Sequence, residues 1–134
     1  MKIGVTGTRE GSTDSQLKAV IEFMETLGTG HELHHGDCCG VDIEVATVAK
    51  NLGWTVVCHP PVSDYLRAYH ESDEFRQPHG YLRRDRNIVD ETELLIVVPL
   101  HTEWQSSGGT WYTHDYAVKL GRPVHIFYPE KTDE

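Results

Sequence analysis

The chain has 134 residues, the size of one domain built on one core. Hydrophobic residues make up 38% and charged residues 25%, which excludes the disordered, collagenous and disulfide-stapled classes. Twelve basic against 21 acidic residues leave a formal charge of −9, which argues against a duplex-DNA binder held by phosphate contacts and against adsorption on anionic lipid.

Residues 2–6 read as a first strand. Thr13-x-x-Gln16 then forms a capping box ahead of Leu17, Val20, Ile21, Met24 and Leu27, whose spacing is helical, and Gly28 stops that helix. Residues 32–35 are a weaker strand. Val45, Ala46, Ala49 and Leu52 mark a second helix ended by Gly53, and residues 54–58 a third strand. Residues 60–80 show no clear strand; a short helix over residues 63–70 is expected to divide them, and so long a connection reads as a lid or a mobile segment. An arginine-bearing helix leads to the clearest strand, residues 94–98. After a loop, Thr113, Tyr116, Ala117 and Leu120 mark a last helix, closed by Gly121 and Pro123, before a strand over residues 124–128.

The apolar runs are continuous rather than alternating, as in parallel strands covered on both faces. With right-handed crossovers the expected fold is α/β: a Rossmann-like, doubly wound, mainly parallel five-stranded sheet with helices on both faces. One domain spans residues 1–129, and residues 130–134 form an acidic tail expected to fray. No apolar stretch approaches the roughly 18 residues of a membrane span, and no signal-peptide pattern follows Met1, so a cytoplasmic protein without a membrane partner is expected. Three cysteines, two of them adjacent at Cys38 and Cys39, suit a reducing compartment.

In such sheets ligands lie outside the carboxyl ends of the strands. Three glycine-bearing loops fall there: Thr6-Gly7-Thr8-Arg9, His35-Gly36-Asp37-Cys38-Cys39-Gly40 and Ser106-Ser107-Gly108-Gly109-Thr110. The third is the best phosphate cradle, with glycines for close backbone approach, hydroxyl donors, and a helix that directs free N–H groups at an anion. Arg83, Arg84 and Arg86 concentrate positive charge on an acidic chain. On a helix Arg83 and Arg86 share a face and Arg84 points about 100° away, so at most two can address one ligand. The alternative is a surface helix end paired with Asp85, Asp90 or Glu91.

His31, His34, His35, Asp37, Cys38 and Cys39 invite a metal reading, but His34 and His35 face opposite sides of a strand and no second ligand pair closes a zinc site. No metal and no cofactor are expected. Cys38 and Cys39 read as small loop residues, since a nucleophile would need a base such as His35 or His59. Trp111, Tyr112 and Tyr116 could stack on a nucleobase or pack their helix on the sheet.

Taken in order, Gly4-Val5-Thr6-Gly7-Thr8-Arg9, His35-Gly36-Asp37-Cys38-Cys39-Gly40-Val41-Asp42, Pro60-Pro61, Tyr81-Leu82-Arg83-Arg84-Asp85-Arg86-Asn87-Ile88-Val89-Asp90, Leu95-Ile96-Val97-Val98-Pro99 and Ser107-Gly108-Gly109-Thr110-Trp111-Tyr112-Thr113 resemble the SLOG superfamily over nearly the whole chain. That superfamily joins DNA-processing protein A, the lonely-guy cytokinin-activating hydrolases and many small single-domain proteins. The resemblance implies a Rossmann-like fold that binds a nucleotide or nucleotide-derived ligand, its phosphate on the turn of Ser107, Gly108, Gly109 and Thr110. Gly7, Thr8, Arg9, Gly36, Asp37, Arg84 and Arg86 would line the same pocket.

In the lonely-guy enzymes an arginine before the fourth strand and a glutamate after the glycine turn cleave the base from a nucleoside monophosphate. Arg84 falls at the arginine position. At the glutamate position stand Tyr112 and Thr113 or, in a shifted register, His114 and Asp115. The first expectation is therefore a module that senses or sequesters a nucleotide-derived ligand. The alternative is a nucleoside 5′-monophosphate phosphoribohydrolase using Arg84 with Asp115 or Asp37. A single-stranded nucleic-acid handling protein comes third, against the net charge. Relatives that pair through helices beside the pocket imply a homodimer or larger.

Overall fold

The computed structural model describes residues 1–106 and 108–130. Its elements in chain order are β1 (Lys2–Gly7), α1 (Asp14–Leu27), β2 (Glu32–His35), α2 (Val41–Asn51), β3 (Thr55–Cys58), β4 (Glu74–Phe75), α3 (Tyr81–Glu91), β5 (Leu94–Val98), α4 (Gly109–Lys119) and β6 (Val124–Ile126). The strands make one parallel sheet in the order β4-β3-β2-β1-β5-β6. Helices α1 and α2 cover one face with a core that includes Ile3, Val20, Met24, Leu33, Val45 and Ile96. On the other face α3 and α4 pack on Leu95 and Val97 through Val89 and Ala117.

The doubly wound α/β architecture is as expected, with one strand more than the sequence pattern showed. The extra strand, β4, lies inside the long connection and pairs Val57 with Glu74 and Cys58 with Phe75 at the sheet edge. Both its side chains are exposed, so backbone pairing alone makes it a strand and no apolar run announces it. No helix forms over residues 63–70. Leu66 and Tyr69 adopt φ of 61° and 55°, which a right-handed helix cannot accommodate. Of the tail expected to fray, residues 131–134 lie outside the described residues.

Local chemistry explains the better-formed elements. The Thr13 hydroxyl accepts from the Gln16 amide, and the Gln16 side chain accepts from the Thr13 amide, so the expected capping box is present. The side-chain Nε2 of Gln16 donates to the Pro99 and Phe127 carbonyls, which ties α1 to the ends of β5 and β6. Every residue of β5 is buried, as a central parallel strand requires.

The chain reverses direction across the sheet between β1 and β5, the topological switch point at which ligands of open α/β sheets settle. There Thr8 donates its amide to the Val98 carbonyl at 3.0 Å. Helix α2 approaches β1 so closely that a Cβ on Gly7 would lie 2.6 Å from Val41 Cβ. Gly7 is therefore a packing requirement whatever else it does. Gly7→Ala should lower stability by about 1–3 kcal/mol through overpacking, read as a reduced urea midpoint, and adding Val41→Ala should recover part of the loss.

Candidate functional site

The loops after β1, β2, β3 and β5 meet at the carboxyl rim, and one side chain joins most of them. Arg84 sits in the first turns of α3 and is 7% exposed. Its Nε donates to Asp85 Oδ1 at 2.7 Å, and its Nη1 donates to the Gly36 carbonyl and, at 3.4 Å, to the His59 carbonyl. Gly36 is a glycine for this reason: a Cβ there would lie 2.6 Å from Arg84 Nη1. The other oxygen of Asp85 reaches the glycine turn, 3.1 Å from the place a Cβ on Gly109 would take. Arg84 and the start of α4 therefore share one rim and are linked through Asp85.

Among the described residues Arg84 Nη2 has no hydrogen-bond partner, and no buried side-chain nitrogen or oxygen there is left unpaired. Helix α4 begins at Gly108, whose φ of 92° suits glycine, and no described side chain caps it. Helices α2 and α3 begin at Gly40 and Gly80, also without a side-chain cap. Three helix N-termini with their positive dipole ends thus face the rim, whereas α1 is closed by its own box.

Asp42 faces the same rim from α2. Its Oδ2 accepts from the Gly36 amide at 3.1 Å and the Cys38 amide at 3.3 Å. Burial pushes its carboxyl up to about 6, against the downward pull of Arg84 and of these amides. Burial also raises the Asp85 carboxyl, while Arg84 and Thr113 pull it down. Two buried carboxylates around one buried guanidinium leave the cluster short of positive charge.

The remaining expected residues fall into three groups. Thr8 is buried; its hydroxyl accepts from the Glu10 amide and its carbonyl from Gly11 and Val41, while Arg9 beside it is exposed. Arg86 points outward and donates to the Tyr112 hydroxyl at 2.7 Å, with Tyr116 donating to Asp90 on the same helix pair. Thr110 stands in the first turn of α4 beside Gly109; Ser107 lies outside the described residues.

Two expected roles find no support in the geometry. Asp37, at φ 57°, is fully buried and directed at the long connection: its carboxylate accepts from Arg67 Nε at 2.7 Å and from the His70 amide at 2.8 Å. Asp115 is turned from Arg84, because Thr113 and Ala117 form the buried side of α4 and a residue two positions away lies about 160° off. Its carboxylate instead accepts from Trp104 Nε1 and pairs with His114. Cys38 fits the loop-residue reading: burial and the Asp42 charge push its thiol up to about 12.

His34 and His35 do face opposite sides of β2. His35 accepts from the Asp37 amide and meets Ser72, while His34 meets His59, and behind His59 stands Glu91. Burial holds the His34 ring below its ordinary value and pushes His35 and His59 down to about 3. Asp85 was visible in the sequence as a partner for the arginines. Arg67 and His59 were not, because their partners are remote in sequence, and Asp42 was not, because it accepts from backbone amides that no residue type announces.

No family model and no curated protein matches the chain. Solved structures do. The molybdenum cofactor binding protein from Rippkaea orientalis superposes with a TM-score of 0.71 at 21% identity, over 93% of this chain and 74% of that one. DNA processing protein A from Streptococcus pneumoniae gives 0.70 at 20% identity over 93% of this chain, which spans 49% of that protein. DNA processing protein A from Helicobacter pylori, whose structure describes single-stranded DNA binding, gives 0.67 at 17% identity over 100% of this chain and 67% of that one. At these identities the likeness extends to the fold alone, an α/β, Rossmann-like parallel sheet flanked by helices.

Two measurements test the site. For Asp42 the folded state holds its proton more tightly than the unfolded chain, so its contribution favours folding below about pH 4 and is lost as the pH rises to about 6. Asp42→Asn should remove this component, worth about 2 kcal/mol, from the difference in urea stability between pH 4 and 6.5. Arg84→Ala leaves Asp85 buried without its partner and should cost about 3–5 kcal/mol, with Arg84→Lys recovering little because it cannot reproduce the forked contacts.

Proposed function

We propose that the carboxyl rim binds a nucleotide or nucleotide-derived ligand by its phosphate. The observation that carries this reading is the uncapped N-terminus of α4, opened by Gly108 and Gly109, on the same rim as Arg84 Nη2. Amide donors and a helix dipole suit an oxyanion on an acidic molecule whose net charge would otherwise repel it. Exposed Arg83 and Arg9 add cations at the same edge. The neighbours support ligand binding at this fold in general terms: one is a molybdenum cofactor binding protein and another binds single-stranded DNA.

Binding without turnover is the form of this reading that the geometry favours. Asp115 and Asp37, the carboxylates the hydrolase alternative relies on, are both committed elsewhere. An N-glycosidic cleavage needs a carboxylate at the sugar. The cytoplasmic setting and self-association expected from the sequence remain part of the proposal; no described helix is long and apolar enough to cross a membrane.

Calorimetric titration with adenosine and guanosine 5′-monophosphates and with inorganic phosphate tests the rim. Nucleotide binding should compete with phosphate and release no free base. Thr110→Glu adds a carboxylate that the α4 dipole tolerates, so folding should be kept while nucleotide affinity falls at least tenfold. Nucleotide binding unchanged by Thr110→Glu would remove the phosphate from this turn, and release of free base would establish the hydrolase instead.

A further inference from the structure

A second constellation lies behind Arg84, between β2, the end of β3 and the last turn of α3. Four side chains form a row. Glu32 Oε1 meets His34 Nε2 at 3.0 Å, His34 Nδ1 meets His59 Nε2 at 2.8 Å, and His59 Nδ1 faces Glu91 Oε2 at 3.7 Å. Both imidazoles are buried, His34 completely and His59 to within 2%.

Two neutral imidazoles satisfy the row's two hydrogen bonds: with His34 donating Nε2–H to Glu32 and His59 donating Nε2–H to His34 Nδ1, the Nδ1 lone pair of His59 is left facing the Glu91 carboxylate at 3.7 Å, beyond hydrogen-bond reach. A cation between these donors would take the place of the proton shared by the two histidines and give Glu91 a positive partner.

We propose that His34, His59 and Glu91 form a binding site for a borderline divalent transition-metal ion of the zinc type, with Glu32 as the positioning residue for His34. Two imidazole nitrogens and one carboxylate oxygen are the donor set of open zinc sites, which leave a position to water. The three donor atoms all lie within 4.8 Å of one another. Zinc–nitrogen bonds of about 2.0–2.1 Å set tetrahedral neighbours roughly 3.4 Å apart, so the two histidines need only part by about half an ångström. Glu32 on His34 Nε2 directs the lone pair of Nδ1 inward, the carboxylate–histidine–metal arrangement. Glu91, its side chain 35% exposed, gives the ion a way in from solvent. Arg76 holds the other Glu91 oxygen at 2.9 Å, fixing the carboxylate but adding a like charge near the ion.

This site is separate from the phosphate rim and independent of its ligand, although the His59 carbonyl that accepts from Arg84 connects the two. The ion would fasten α3 to β2 and to the segment after β3, two elements that the bond from the His59 amide to the His35 carbonyl already joins. It would therefore stabilise the fold as well as bind.

Protein dialysed against a chelator and titrated with zinc chloride should take up one ion per chain and melt at a higher temperature. Cobalt(II) in its place should give visible bands of a tetrahedral nitrogen and oxygen site without a thiolate charge-transfer band. Glu91→Gln, at a partly exposed position, should fold normally and lose about tenfold to a hundredfold in zinc affinity, and His59→Gln more. Arg76→Gln should bind zinc more tightly. The proposal is overturned if zinc uptake is absent, if Glu91→Gln and His59→Gln bind as the parent does, or if cobalt shows thiolate bands that place it on Cys38, Cys39 or Cys58.

Discussion

The buried guanidinium of Arg84 is the contact on which the rim depends. It bonds the loop after β2 through the Gly36 carbonyl, the segment after β3 through the His59 carbonyl, and its own helix through Asp85, whose second oxygen meets the start of α4. A charge this deep is tolerated only when paired and hydrogen-bonded, and here Nε meets a carboxylate and Nη1 two carbonyls. Its position also restricts its neighbours: Gly36 must lack a side chain because the guanidinium fills its space, and a Cβ on Gly109 would crowd Asp85. Arg84 is thus first an organiser of loops, and one remaining amino group is what it can offer a ligand.

This division of labour changes how the arginine cluster is read. Three arginines in four residues suggest a basic patch, yet each goes a different way: Arg84 inward, Arg86 to Tyr112 on α4, and Arg83 to solvent. Helical geometry alone anticipates the divergence of Arg84 from the other two. The inward one is held by Asp85, the residue next to it, and by backbone carbonyls. Asp42 and Asp85 stand near that single guanidinium, so the side chains there carry more negative than positive charge, while three helices start at the same rim.

Much of the fold is legible in the sequence because its signals are local or periodic. Continuous apolar runs mark buried parallel strands, Thr13 and Gln16 form their capping box, and Gly28, Gly53 and Gly121 end helices in positive φ. The misses share a physical cause: they rest on pairings across distance. Strand β4 exists by backbone bonds to β3 with two exposed side chains. Asp37 looks like a loop carboxylate at a ligand edge until Arg67 and His70 fold back onto it. For the candidate site, sequence spacing put the glycine turn and Arg84 at the same edge, but it could not show that Arg84 is buried or that Asp115 turns away.

Residues 60–80 show most clearly how distance contacts override a local signal. Such a length without regular structure reads as mobile, since ordering each residue costs on the order of 1–2 kcal/mol of backbone entropy. The segment is ordered by being used as a partner. Leu66 accepts from the Cys39 amide, the Asp37 carbonyl accepts from Ala68, Val62 and His79 close a loop on themselves, and Arg76 donates its amide to Cys58. Beneath it Ser72 lies between His35 and His70. Two of these anchors, at Cys39 and Asp37, come from the loop after β2, the same loop that Arg84 holds by its Gly36 carbonyl. The guanidinium therefore helps to set the position of the connection as well as of the rim.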